Sequence, residues 1–134
     1  MLGDLIGEIQ GHVTGRRVLG GEHGLAPTVE TSVQVEGQLL GVAGRDWATY
    51  EARMRADGRL YGTGLGITMT QSGDSVTWRG QGVGTFTGPG RVSWRGSLVW
   101  EGGTGALAPL NEYAGVFEYE VDEDKVSGKV WAWK

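Results

Sequence analysis

Cysteine is absent from the 134 residues, which removes a disulfide framework, a thiolate zinc site and a cysteine nucleophile together. Histidine occurs only at positions 12 and 23, so general bases for a nucleophilic triad are scarce. Two distant histidines and scattered carboxylates also do not make the three or four converging ligands of a zinc site. Neither a metal nor a cofactor is expected. The net charge is −4, and no basic cluster offers a track for phosphates, so nucleic acid is not an expected partner. No apolar run approaches the roughly 20 residues of a membrane helix. Met1-Leu2-Gly3-Asp4 does not open a signal peptide. The expectation is a cytoplasmic protein. Apolar residues at helical spacing are also missing over any useful length.

What the chain has is 26 glycines and six tryptophans. Glycine at that level can signal disorder, but here it alternates with β-branched and aromatic residues, the pattern of strands. The length suits one domain spanning residues 1–134. From Asp4 to Thr14, Leu5, Gly7, Ile9, Gly11 and Val13 share one face, and Glu8, Gln10 and His12 share the other. Thr28 to Glu36 turns Val29, Val33 and Val35 inward; Gly37 then reads as a turn before strands over 38–43 and 46–55.

Gly62-Thr63-Gly64-Leu65-Gly66 and Gly80-Gln81-Gly82-Val83-Gly84 place glycine at every second position. A Ser72-Gly73-Asp74 loop would set Gly66 opposite Gly80, Gly64 opposite Gly82 and Gly62 opposite Gly84, all on one face. An Ala56-Asp57-Gly58 loop puts Ala48, Tyr50, Ala52 and Met54 on that face and Trp47, Glu51 and Arg53 outside. After Gly88-Pro89-Gly90, Trp94 lies across from Gly84, Gly96 from Gly82, Leu98 from Gly80 and Trp100 from Trp78. A large aromatic over a cross-strand glycine stabilises such positions. Phe86 joins the inner face on this reading. In the final hairpin, Phe117, Tyr119, Trp131 and Trp133 are expected inward. The fold class is all-β: a single closed antiparallel barrel of about eight strands, mostly a meander joined by short hairpins.

The glycine-alternating strands, and Gly103-Thr104-Gly105-Ala106-Leu107-Ala108-Pro109-Leu110 ahead of a last aromatic hairpin, resemble the allene oxide cyclase-like barrels. That group includes dirigent-like proteins and small bacterial proteins of unassigned function. The resemblance runs from about Tyr50 to the C-terminus. It implies an eight-stranded, usually oligomeric barrel with an apolar lumen; the polar groups of the cyclases are not assigned to positions of this chain, so their activity does not carry over.

Chemistry therefore rests on the interior. Tyr50, Trp78, Trp94, Trp100 and Tyr119 are the candidate ligand-binding residues, stacking on a flat apolar molecule while a tyrosine hydroxyl orients it. The competing reading is that the tryptophans fill the volume the glycines vacate. Val76-Thr77-Trp78-Arg79-Gly80 and Val92-Ser93-Trp94-Arg95-Gly96 repeat a V-x-W-R-G pattern, a duplicated stacking element or one packing solution used twice. His23 with Glu22 reads as a lid base or as exposed loop residues, and His12 as a surface residue. The Gly62–Gly66 row lies within a strand, not before a helix, so it is not a phosphate loop. Leu65, Ile67, Met69, Val83 and Val99 with Arg79 form an outer face suited to a homo-oligomer. Three functions stay open: binding of a small hydrophobic molecule in the lumen, an isomerase or cyclase working there with Tyr50 or Tyr119 as weak acid, and a filled structural module.

Overall fold

In the structure, a computed structural model, residues 3–21 and 27–133 are described. They form eight strands: β1 (Leu5–Leu19), β2 (Thr28–Leu39), β3 (Val42–Met54), β4 (Leu60–Thr70), β5 (Ser75–Gly88), β6 (Arg91–Glu101), β7 (Ala114–Asp122) and β8 (Lys125–Trp133). Each pairs antiparallel with its neighbours in sequence, and β8 returns to β1 to close the barrel. Closure satisfies both edges of the sheet, which an open meander would leave exposed.

The hairpins on either side of β4 obey one rule. Residues 56–58 and 71–73 are three-residue loops whose last member is a glycine in the left-handed region, Gly58 at φ +84 and Gly73 at φ +93. The first matches the expectation, with Tyr50 opposite Gly64 and Ala52 opposite Gly62. The second turn sits one residue earlier than expected. Gly64 therefore pairs with Gly80, Gly62 with Gly82, Gly66 with Trp78, and Gly84 with Leu60. A two-residue displacement preserves the face, so both glycine rows still point inward. The β5–β6 register is as expected, with Trp94 opposite Gly84 and Trp100 opposite Trp78.

Four other expectations are corrected. Gly37 does not turn the chain: β2 runs through it to Leu39, and the turn is Leu40-Gly41, both at positive φ. A methyl on Gly37 would collide with the Glu8 carbonyl oxygen, so glycine is there for close approach of β1 and β2. Second, β1 extends to Leu19, and an irregularity between Val13 and Gly15 exchanges its faces, setting Arg16 opposite the inward Thr31. A similar irregularity between Leu5 and Gly7 leaves Leu5 exposed.

Third, Trp131 and Trp133 face outward. They pair with Val116 and Ala114, whereas Phe117 and Tyr119 pair with Val130 and Gly128 on the inside. The two-residue turn Glu123-Asp124 pairs odd positions with even ones, and Ala132, not its neighbours, is fully buried. Fourth, Phe86 and Met54 lie at the barrel rim and are about half exposed.

Between β6 and β7 the expected loop is a 3-10 helix, Gly105–Glu112. It closes one end of the barrel by inserting Leu107 and Leu110, both 0% exposed, against Val76 and Trp100. Thr104 clamps its start to Ser75 through two backbone-linked hydrogen bonds, and Asn111 exchanges two more with Gly103. The Gly103–Leu110 motif is thus the plug of the barrel.

Candidate functional site

Large aromatics rest on glycines one or two strands away. A methyl added at Gly66 would fall 2.5 Å from Trp78 Nε1, and one at Gly62 would fall 2.8 Å from the far edge of Trp94. Trp100 lies in the same way on Gly115, and Phe117 on Gly96. The V-x-W-R-G repeat therefore reads as one packing solution used twice: two indoles covering the two ends of the β4 glycine row. The filling is incomplete. Between these rings lies a cavity of about 160 Å³ with an almost wholly apolar lining. An engineered apolar cavity of about 150 Å³ is enough to hold benzene.

All five candidate residues, Tyr50, Trp78, Trp94, Trp100 and Tyr119, line this one cavity, with Gly64, Gly80 and Gly82 forming the low side of the wall. Tyr50 makes edge-on contacts with Trp94, centroids 5.9 Å apart, and with Tyr119, 6.0 Å apart. Rings locked edge to face in this way hold their orientation without a ligand.

The lumen also holds a carboxyl. Asp46 projects inward from β3, between Val35 of β2 and Thr68 of β4 in the cross-strand row. Its Oδ2 accepts a 2.9 Å hydrogen bond from Trp78 Nε1, whereas Oδ1 is buried with no hydrogen-bond partner among the described residues. Burial pushes the Asp46 pKa from 3.8 up to about 7, and the Trp78 hydrogen bond only partly opposes this. The signal was in the sequence: Asp46 has the parity of Ala48 and Tyr50, so any register that turned those inward turned Asp46 inward too.

Tyr119 Oη is the second buried polar atom without a hydrogen-bond partner among the described residues. The Tyr50 and Tyr119 hydroxyls are neighbours that do not close a well-aligned hydrogen bond. Burial raises both phenol pKa values. For Tyr119 the proximity of Tyr50 and then the charge of Asp46 raise it further. Arg16, across from Thr31, which in turn pairs with Tyr50, opposes the shift on both tyrosines. Its guanidinium is already engaged, donating to Asp124 Oδ1 at 2.9 Å and to the Glu123 carbonyl at 2.8 Å.

His12 is exposed on the outer face of β1, as expected. Glu22 and His23, the lid-base pair, lie outside the described residues. Among the described residues no three His, Asp or Glu side chains gather as a metal site, and no helix is long and apolar enough to cross a membrane.

Three bacterial proteins are among the solved structures that share this architecture. A protein of unknown function from Clostridium acetobutylicum matches with a TM-score of 0.81 at 12% identity, covering 96% of each chain. A conserved protein of unknown function from Rhodopseudomonas palustris gives 0.76 at 15%, covering 95% of each. A β-barrel-like protein from Acinetobacter baumannii gives 0.77 at 11%, covering 96% of this chain and 94% of that one. What they share with this chain is the fold. No family model and no curated protein matches the sequence. The barrel implied by the resemblance at Gly103–Leu110 is present, and none of these comparisons ties it to the allene oxide cyclases.

Proposed function

We propose that this barrel binds a small hydrophobic molecule in its aromatic-lined lumen. The observation that carries the reading is the apolar cavity itself, walled by Tyr50, Trp78, Trp94, Trp100 and Tyr119 in a barrel that Leu107 and Leu110 close at one end. A purely structural barrel of this composition would gain dispersion energy by filling that space. Native mass spectrometry of the purified protein tests it. A discrete extra mass that disappears on denaturation is expected. A bare mass, together with no saturable binding of benzene-sized ligands, would sink the idea.

Asp46 favours a second reading, in which the lumen catalyses an isomerisation or cyclisation. A carboxyl that titrates near neutrality beside an unused phenol is suited to moving a proton within one substrate. Deuterium incorporation α to the carbonyl of a small cyclic ketone, abolished by Asp46→Asn, would support it; incorporation unchanged by that substitution would remove it.

The outer face supports a homo-oligomer. Thr49, Leu65, Arg79, Val99, Ala114 and Trp133 form one continuous cross-strand row, flanked by the exposed Trp47, Ile67 and Met69. A chain that stays monomeric at micromolar concentration would contradict that.

A further inference from the structure

We infer that the molecule this lumen takes is a small apolar amine, its nitrogen seated on Asp46 Oδ1 and its hydrocarbon body against Trp78, Trp94 and Tyr50. The inference rests on the lumen-binding reading and adds the chemistry of the ligand to it.

Three observations converge. The first is the pattern of unused polar atoms. Asp46 Oδ1 is buried without a hydrogen-bond partner among the described residues, and once ionised it can only accept. Asp46 Oδ2 already has its donor in Trp78. A ligand bearing N–H groups meets that demand.

The second is the missing counter-charge. Asp46 faces Val35 from β2, Thr68 from β4, Trp78 from β5 and Tyr119 from β7, none of them cationic. Arg45 and Lys129 border the cavity, but their register turns both side chains outward, where they are exposed. Arg16 is held by the Glu123-Asp124 turn. Burial of a carboxylate without a partner is costly, and a bound cation would be the partner.

The third is the wall. Indole and phenol faces attract a cation, most strongly where water is excluded. A carbonyl ligand could use the protonated Asp46 but carries no positive charge for those faces to attract. The cavity volume of about 160 Å³ fits one ring with a short side chain.

The binding step balances without another reactant. A neutral amine enters, the Asp46 Oδ1 proton passes to its nitrogen, and ammonium and carboxylate remain paired in the lumen. At higher pH the carboxylate takes up the already protonated amine, which gives the same complex.

Calorimetric titration of the whole protein with benzylamine, toluene and benzaldehyde, from pH 5 to pH 9, tests this. Benzylamine is expected to bind at least about tenfold tighter than toluene at pH 8, the effect of roughly one charge-assisted hydrogen bond. Its affinity should level off between the Asp46 pKa and that of the amine, and fall as pH drops below about 7. Asp46→Asn should erase the preference for benzylamine and keep toluene binding. Equal affinity of toluene and benzylamine would overturn the amine inference while leaving lumen binding intact. So would tightest binding of benzaldehyde, with affinity rising toward low pH. Failure of all three to bind would overturn both readings.

Discussion

Replacing Asp46 by asparagine should stabilise the protein, and by an amount that depends on pH. In the native barrel the carboxyl titrates at about 7, against 3.8 for an unburied aspartate. Between those values the native state holds a proton that the unfolded state has released. Stability therefore falls as pH rises, by about 1.4 kcal/mol per pH unit. Below 3.8 both states are protonated and the full contribution is present; above about 7 both are ionised and it is gone. Integrated over the window, the loss is about 4 kcal/mol, an upper figure because some water can follow the charge inward. Asparagine mimics the protonated acid and can still accept from Trp78 through its carbonyl oxygen. Urea unfolding of both proteins, followed by tryptophan fluorescence at pH 4.5, 6, 7 and 8.5, gives the difference curve, in which every other carboxylate cancels. The difference should be about 1 kcal/mol at pH 4.5 and grow to about 4 kcal/mol at pH 8.5, on the order of 10 °C in Tm for a chain of this size. A difference that does not vary with pH would refute the reasoning, because Asp46 would then ionise alike in both states.

Three further outcomes follow from the packing. Leu107→Ala removes a fully buried side chain from the plug and should cost about 2–5 kcal/mol; thermal unfolding measures it, and toluene affinity should fall with the plug loosened. Gly66→Ala places a methyl 2.5 Å from Trp78 Nε1, forcing the indole to shift and weakening its bond to Asp46; a loss of about 1–3 kcal/mol is expected, with a change in Trp78 emission that a surface glycine substitution would not cause. Arg16→Ala breaks an ion pair whose side chains are 44% and 75% exposed and should cost less than about 1 kcal/mol. It should also raise the phenol titration of Tyr50, followed by ultraviolet difference absorbance, because Arg16 now lowers it.

Much of this architecture is legible in the amino-acid order because a strand has only two faces. Period-two glycine rows, short loops and alternating valines specify the meander, and the β3–β4 and β5–β6 registers follow from their turn residues. The errors arise where that logic was applied incompletely. Gly73 belongs at the last, left-handed position of its loop, as Gly58 does in the preceding hairpin; the same rule at both turns places Gly66 opposite Trp78. Gly37 resembles a turn because glycine usually marks one, and only the neighbouring backbone of Glu8 reveals a second use. The outward Trp131 and Trp133 follow from parity once Gly128 and Ala132 are taken as inner positions, but the size of an indole argues for burial and misleads. A lined lumen and a filled core were both open from the sequence. Whether tryptophans fill what glycines vacate depends on ring positions known only in three dimensions.

Asp46 is where local rules and fold disagree, and such places tend to carry function. One structural account is that its carboxyl fixes the Trp78 indole over Gly66 through the 2.9 Å hydrogen bond. Asparagine would do the same through its amide oxygen, at nearly the same volume and without the charge that burial penalises above pH 7. Glutamine or threonine on a neighbouring strand would serve as well. What aspartate has and asparagine lacks is an ionisable proton and, once that is lost, a negative charge in an apolar chamber. Anchoring Trp78 uses neither. Pairing with an incoming cation uses the charge, and proton transfer within a bound substrate uses the proton. The amine titrations and the deuterium-incorporation experiment separate those two.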